Sequence, residues 1–348
     1  MTPSSFVKAG IVTLITVIAF FIAWELHLRS KGIKISYDDG ESLWADKRAM
    51  VYKPSDKATV FIGSSRNKFS LDIDTWEHIT GERAVQLAME GNSPLPILDD
   101  LANDKRFKGK VVIDVTEGLF FSTAPNNITE PAANAEYYKK ETPAQRFSFL
   151  VNEQLESKLV YLNKNHFSLH ALINEFPVKK RPGVFALPHD CPRDFNPVTF
   201  GRQNIMTDRF LTDTTLQKKV TDLWAFYRKM SKEPPANPAK RDSVIATIKK
   251  DADKIEGRGG KVIFLRTPSS GPFRTGEKMA FPREKYWEPL LMQTGRPGIH
   301  FEDYPAIAHF ICPEFSHLKH ADAIVFTKTL ITILEEKGWA FPYKQNAL

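Results

Sequence analysis

The chain has 348 residues, 42% of them hydrophobic and 26% charged, with a net charge of +7. This is ordinary globular composition, enough for one large domain or two small ones. Two cysteines, Cys191 and Cys312, exclude a disulfide framework and leave either one bridge in an oxidising compartment or a pair of free thiols. Lysine and arginine are spread along the chain and mixed with acids, which argues against nucleic acid as a partner and leaves anionic lipid or an anionic polymer.

Phe6 to Trp24 is almost wholly apolar, broken only by Lys8 and two threonines. At about 1.5 Å per residue it reaches roughly 28 Å, enough for a bilayer core. No small-x-small cleavage pattern follows it, so residues 1–34 read as an uncleaved single-pass membrane anchor. Lys8 precedes the run and Arg29, Lys31 and Lys34 follow it; counting these charges favours a cytoplasmic body. Residues 35–57 are polar, with an Asp-Asp-Gly turn and Pro54, and read as a stalk or as an edge element that leads into the first strand.

Thr59 to Ile62 is a short run of β-branched and aromatic residues, the pattern of a buried strand. Gly63 permits a sharp turn, and Ser64, Ser65 and Arg66 lead into a helix. A strand, a tight turn and a helix start place a hydroxyl at the carboxyl end of a strand, where helix N–H groups can hold an oxyanion. The competing reading is that one of the two serines caps the helix. A helix is expected over Leu71–Thr80, a second strand over Ala84–Met89, a helix from Pro94 to Leu101 with Ser93 as cap, and a third strand over Lys110–Val115.

Residues from about 120 to 240 break this rhythm and read as a largely helical insertion, with helical patterns over Ala144–Asn174 and Thr214–Met230 and a proline-rich loop between them. His166 and His170, four residues apart, read as surface or packing residues. The rhythm then returns: an amphipathic helix from Arg241, a fourth strand over Lys261–Arg266, a loop over Thr267–Lys278, a helix over Arg283–Gln293, a short strand over Ile299–Tyr304 and a closing helix over Lys319–Lys337. Alternating strands and helices predict a parallel five-stranded sheet covered on both faces, in the flavodoxin-like order 2-1-3-4-5. Sites in that layout lie beyond the carboxyl ends of the strands. Ser65, Gly91, Thr116, the Thr267 loop and His317 all fall there.

Glu314 lies three residues before His317, ahead of the last helix. An acid so placed can orient the histidine, and the histidine can take a proton from a serine. Asp303 is a rival acid. A metal reading would group His309, Glu314, His317 and His320, but the His-Glu-x-x-His pattern is missing, and neither a metal nor another cofactor is expected.

Together, Gly63-Ser64-Ser65 and Glu314-x-x-His317 resemble the first and last blocks of the SGNH (GDSL-like) hydrolase superfamily. Gly91 corresponds to its second-block glycine. The third block should follow Lys110–Val115, where Thr116-Glu117-Gly118 stands without the asparagine. Glutamate also replaces the usual aspartate. Similar departures occur in the membrane-anchored branch resembling the D-alanylation protein DltD and the alginate O-acetylation proteins. The resemblance implies an SGNH-hydrolase three-layer sandwich over residues 58–340, with Ser65 as nucleophile, His317 as base and Glu314 as its orienting acid. The backbone N–H groups of Ser65 and Gly91, with the Asn92 side chain, would form the oxyanion hole. It further implies acyl-ester chemistry on a cell-envelope or secreted polysaccharide, as an O-acetyltransferase or esterase. A membrane-bound O-acyltransferase would be the partner, and the catalytic domain would lie outside the inner membrane, contrary to the charge count. The alternative is a non-catalytic glycan-binding or assembly module of the same fold.

Overall fold

The computed structural model describes residues 3–52, 58–174, 191–231 and 233–342. In chain order, α1 (Pro3–Ser30) is followed by α2 (Glu41–Met50), β1 (Ala58–Ile62), α3 (Ser65–Ser70), α4 (Ile73–Thr80), β2 (Arg83–Gln86), α5 (Leu95–Asn103) and β3 (Lys110–Asp114). Next come α6 (Glu117–Phe120), α7 (Pro125–Lys140), α8 (Pro143–Glu156), a 3-10 turn (Val160–Leu162), α9 (Lys164–Phe167), α10 (Leu169–Asn174), α11 (Asp208–Thr212), α12 (Thr214–Met230) and α13 (Pro238–Glu256). The chain closes with β4 (Lys261–Arg266), α14 (Gly271–Ala280), α15 (Arg283–Thr294), β5 (Gly298–His300), a 3-10 turn (Phe301–Asp303), α16 (Pro305–Ala308) and α17 (His320–Glu336).

The chain divides into two compact units. The smaller comprises residues 1–38 and 143–190 and contains α1 and α8 to α10. Residues Ser5–Ser30 of α1 are long and apolar enough to cross a membrane, and none of its most apolar 18-residue window is buried by protein. The larger unit, residues 39–142 and 191–348, holds the sheet.

All five strands are parallel, in the order β2-β1-β3-β4-β5. The strands are near-continuous apolar runs because both faces are covered. Alternate residues feed opposite faces: Val60, Ile62, Val111, Ile113, Val262 and Phe264 pack with α2, α5, α13 and α15. Phe61, Val112, Ile263, Leu265 and Ile299 pack with Trp76 and Ile79 of α4 and with Phe326, Leu330 and Leu334 of α17. Each such side chain removed from water contributes about 1.5–3 kcal/mol. A third cluster, around Phe69, Phe195, Phe210 and Val220, joins the end of α3 to residues from the insertion.

Several expectations are corrected. Residues 35–57 are not a stalk throughout: α2 forms within them and buries Leu43 and Trp44, and the Trp44 indole N–H donates to Leu87 O at 3.1 Å. That core partner is remote in sequence, so the polar composition of the segment concealed it. The expected loop after β4 contains α14, whose first turn carries Pro272. The expected last strand is cut to Gly298–His300 by the 3-10 turn that follows. Of the two states left open for the cysteines, the structure has Cys191 and Cys312 as thiols that are not joined in a disulfide. Cys312 is buried, and burial pushes its thiol up to about 12. The side chains of His166 and His170, and residues 181–190 of the proline-rich loop, lie outside the described residues.

α4 is capped by Asp72, whose Oδ1 accepts from the Thr75 N–H at 2.8 Å, while its Oδ2 accepts from Gln203 Nε2 at 3.1 Å and pairs with His320 Nε2 at 2.8 Å. The hydrogen bond to Asp72 raises the His320 pKa above the ordinary value of 6.5. Its stabilisation is therefore complete below that value and is lost as the pH rises through the raised pKa. His320→Gln is expected to lower the melting temperature more at about pH 5.5 than at about pH 9. Equal losses at both pH values would show that the pair carries no charge-dependent stability.

Candidate active site

The site is built at the carboxyl end of the sheet, starting from Gly63. Its φ is +153°, and a Cβ there would lie 2.5 Å from the Cβ of Asp114. Only glycine lets the end of β1 pass so close to the end of β3. The turn then delivers Ser64 to the N-cap position of α3, but its hydroxyl makes no cap bond. Ser64 Oγ instead donates to Thr116 Oγ1 at 2.9 Å, Thr116 Oγ1 donates to Asp114 Oδ2 at 2.8 Å, and Thr267 Oγ1 donates to Asp114 Oδ1 at 2.7 Å. Three strand ends are thereby tied together beneath the half-buried Ser65.

Ser65 Oγ lies 2.8 Å from His317 Nε2, and His317 Nδ1 lies 3.0 Å from Glu314 Oε1. A ring nitrogen facing a carboxylate carries its proton, so Nε2 accepts the serine hydroxyl. The structure thus brings Ser65 together with Glu314 and His317, which lie 249 and 252 positions further along the chain. Glu314 and His317 are buried. Glu314 Oε1 also accepts from the His317 N–H at 2.6 Å and the Ser316 N–H at 3.2 Å, and Oε2 accepts from the Trp224 indole at 2.5 Å. Burial by itself would raise the Glu314 pKa; His317, Trp224 and the backbone donor outweigh it and hold the carboxyl below its usual range. Between acid and base, Phe315 takes a left-handed backbone, φ +75°, which costs a non-glycine residue on the order of 1 kcal/mol. The Ser270 N–H fastens this turn by donating to Phe315 O at 2.9 Å.

The insertion closes the other side. The His317 ring is packed by Phe69, Phe195 and Trp224, with centroids 4.5, 5.6 and 5.9 Å away. The segment carrying Phe195 is fastened to α3: the Asn204 N–H donates to Lys68 O at 3.1 Å, and Asp39 bridges Lys68 and Arg202, each at 2.5 Å. Behind the site, Arg66 Nε donates to Ser316 Oγ at 3.1 Å and its Nη2 pairs with Glu277. Arg66, Trp224, Phe195 and Asp114 were not singled out from sequence. Their only sequence signal is being charged or aromatic next to the chemistry in space, which a linear reading does not contain.

The expected oxyanion donors are placed unevenly. The backbone N–H groups of Ser65 and Gly91 have no hydrogen-bond partner among the described residues, and Gly91 has φ +68°. Asn92 differs from expectation: its amide donates to Glu90 O at 2.8 Å and to Glu130 Oε2 at 3.0 Å, so both of its hydrogens are engaged. The rival acid Asp303 is not at the site; it pairs with Arg283 at 2.5 and 2.7 Å. His309 Nδ1 faces Pro305 O and His320 pairs with Asp72, so the histidines near the acid point to different partners. Among the described residues no group of three or more His, Cys, Asp or Glu is placed to hold a metal ion. A cavity of about 360 Å³ lies near the ends of β4 and β5, lined by Arg274, Phe281, Trp287 and His300 among others, but neither Ser65 nor His317 lines it.

No model of a known protein family and no curated protein matches this chain. Trp224→Phe keeps the aromatic packing and removes one donor from a buried carboxylate. It is expected to cost about 1–3 kcal/mol, measured by urea unfolding. No change in unfolding midpoint would show that the indole bond contributes nothing.

Proposed function

We propose that this protein performs serine-dependent acyl-ester chemistry, with Ser65 as nucleophile, His317 as general base and acid, and Glu314 as the residue that orients His317. The observation that carries this reading is the continuous hydrogen-bond line from Ser65 Oγ through His317 to the buried Glu314 carboxylate. Serine is a weak nucleophile without such a base. Ser65 Oγ bonds to the acyl carbon as its proton passes to Nε2; the leaving alcohol takes that proton and departs. A second hydroxyl then attacks the acyl-enzyme, gives its proton to Nε2, and Ser65 leaves with that proton. The Ser65 and Gly91 N–H groups would receive the oxyanion.

The fold type proposed is that of the SGNH hydrolases, supported by the strand order and by the match of Gly63-Ser64-Ser65 and Glu314-x-x-His317 to its outer blocks. The resemblance to its membrane-anchored branch supports O-acetyl transfer to, or removal from, an envelope or secreted polysaccharide. On this reading the larger unit lies outside the cytoplasmic membrane, and a membrane-bound O-acyltransferase supplies the acyl group. The engaged Asn92 amide favours a second reading, a glycan-binding module of the same fold without turnover. Full-length protein in detergent, assayed on a chromogenic acetyl ester with and without polysaccharide acceptors, separates the two. Turnover that ends with Ser65→Ala supports the enzyme; glycan binding without turnover on any acyl donor supports the module.

A further inference from the structure

Helix α8 is turned the wrong way for a soluble protein. Phe147, Leu150, Val151 and Leu155 fall at i, i+3, i+4 and i+8, a single apolar stripe. A stripe of this kind normally faces the core. Here all four are exposed, Phe147 to 69%, while the opposite face carries Asn152 and the buried Glu156, joined by a hydrogen bond of 2.5 Å. The short α10 repeats the pattern: Leu169, Leu172 and Ile173, at i, i+3 and i+4, are exposed, Leu169 to 74%.

Both helices belong to the same compact unit as α1, and the 3-10 turn between them is pinned to α1 where its apolar run stops. The N–H groups of Val160 and Tyr161 donate to the Glu25 carboxylate at 3.0 and 3.2 Å. The Tyr161 ring stacks on Phe21 at 5.3 Å, and Arg29 donates to Lys158 O at 2.7 Å. Phe21 belongs to the apolar run, and Glu25 is the first charged residue after it. Exposed cations follow on both segments: Lys31 and Lys34 after the apolar run, and Lys158 just before the 3-10 turn.

We infer that α8 and α10 lie in the interfacial plane of the bilayer, with their apolar stripes among the upper acyl chains, forming a membrane-seated collar around the exit of α1. This rests on the reading of α1 as a membrane span. The occupant of the stripes is lipid, because they continue the protein-free apolar surface of α1, start where its apolar run ends, and have beside them cations suited to headgroup phosphates. The smaller unit is thereby held at the headgroup level by three helices instead of hanging from one.

The test uses the full chain in nanodiscs of phosphatidylcholine and phosphatidylglycerol doped with a phospholipid carrying a diazirine on its acyl chain. After photolysis, labelled peptides are mapped by mass spectrometry. Label is expected on residues 143–156 and 169–173 as well as on 5–24. Leu150→Glu with Val151→Glu should abolish label on α8 while label on α1 and the circular dichroism spectrum stay unchanged. Label confined to 5–24 would overturn the inference and leave the anchor intact. Label missing from 5–24 as well would overturn the anchor reading, and this inference with it. Unlabelled α8 that cross-links to α8 of a second copy would make the stripe an oligomer interface and overturn the lipid assignment.

Discussion

Ser65→Ala is expected to remove essentially all acyl-ester turnover, a loss on the order of 10⁴- to 10⁶-fold in kcat. The proposed reaction has one atom that bonds to the acyl carbon, and alanine has nothing in its place. His317→Ala should cost a similar amount, because Ser65 Oγ has its 2.8 Å contact with Nε2 and no other base among its hydrogen-bond partners. If the residues act as one unit, the double variant is little worse than either single one. Glu314→Gln should cost less than either but still heavily: its single amide oxygen can replace only one of the two carboxylate oxygens, accepting either from Trp224 or from the backbone and His317, and it carries no charge to hold the protonated imidazole. Asp303, paired with Arg283, is not placed to take over. The assay is ester hydrolysis or acetyl transfer by purified full-length variants, with folding checked by circular dichroism. Turnover retained in Ser65→Ala would end the covalent mechanism.

The second large effect concerns stability. Glu277 is the shared acid of a buried cationic pair. It pairs with Arg66, accepts from Arg266 Nη2 at 2.6 Å and accepts from Ser269 Oγ at 2.6 Å. Arg266 is completed by Glu117 at 2.8 Å and by Thr267 O at 2.6 Å. Burial would raise the Glu277 pKa, but the two guanidiniums hold it far below the usual carboxylate range. Glu277→Ala leaves two buried cations without their common counter-charge, which typically costs about 3–5 kcal/mol. Against a total stability of about 5–15 kcal/mol this is a large fraction. A group with a depressed pKa contributes stability that is present above its unfolded value of 4.5 and lost as the pH falls through the folded value. The gap between wild type and variant should therefore be full at neutral pH and narrow in strong acid. Chemical unfolding at neutral pH that shows a loss below about 1 kcal/mol would mean that water or another acid replaces Glu277. Because Arg66 also holds Ser316, beside His317, a partly folded variant should lose activity as well.

The fold was legible where burial is written as a local period. The strand Lys261–Arg266 and the helix Thr214–Met230 have the bounds their apolar patterns predict. The parallel sense of the strands follows from the strand–helix alternation, because parallel neighbours need crossovers, and the observed order β2-β1-β3-β4-β5 is the expected one. The apolar run after Phe6 is as long as a bilayer is thick, and α1 extends it without burying it. Ser65, His317 and Glu314 were visible because each stands at the end of a local element with a recognisable spacing.

What surrounds those three residues was decided by the tertiary structure alone. Trp224 reaches Glu314 across 90 positions and Arg66 reaches Glu277 across 211. Asp114 is the reason that position 63 is glycine, yet the two are brought together only by the pairing of β1 with β3. Helix α2 looked like a polar linker until the site of Trp44 burial was known, and the Asn92 amide looked like a free donor until Glu130 arrived beside it. Spacing along the chain encodes which face of an element is buried, because side-chain direction repeats with the backbone. It does not encode which partner a charge or an indole meets, since that depends on how separate elements are stacked, and stacking is settled by packing the whole core at once.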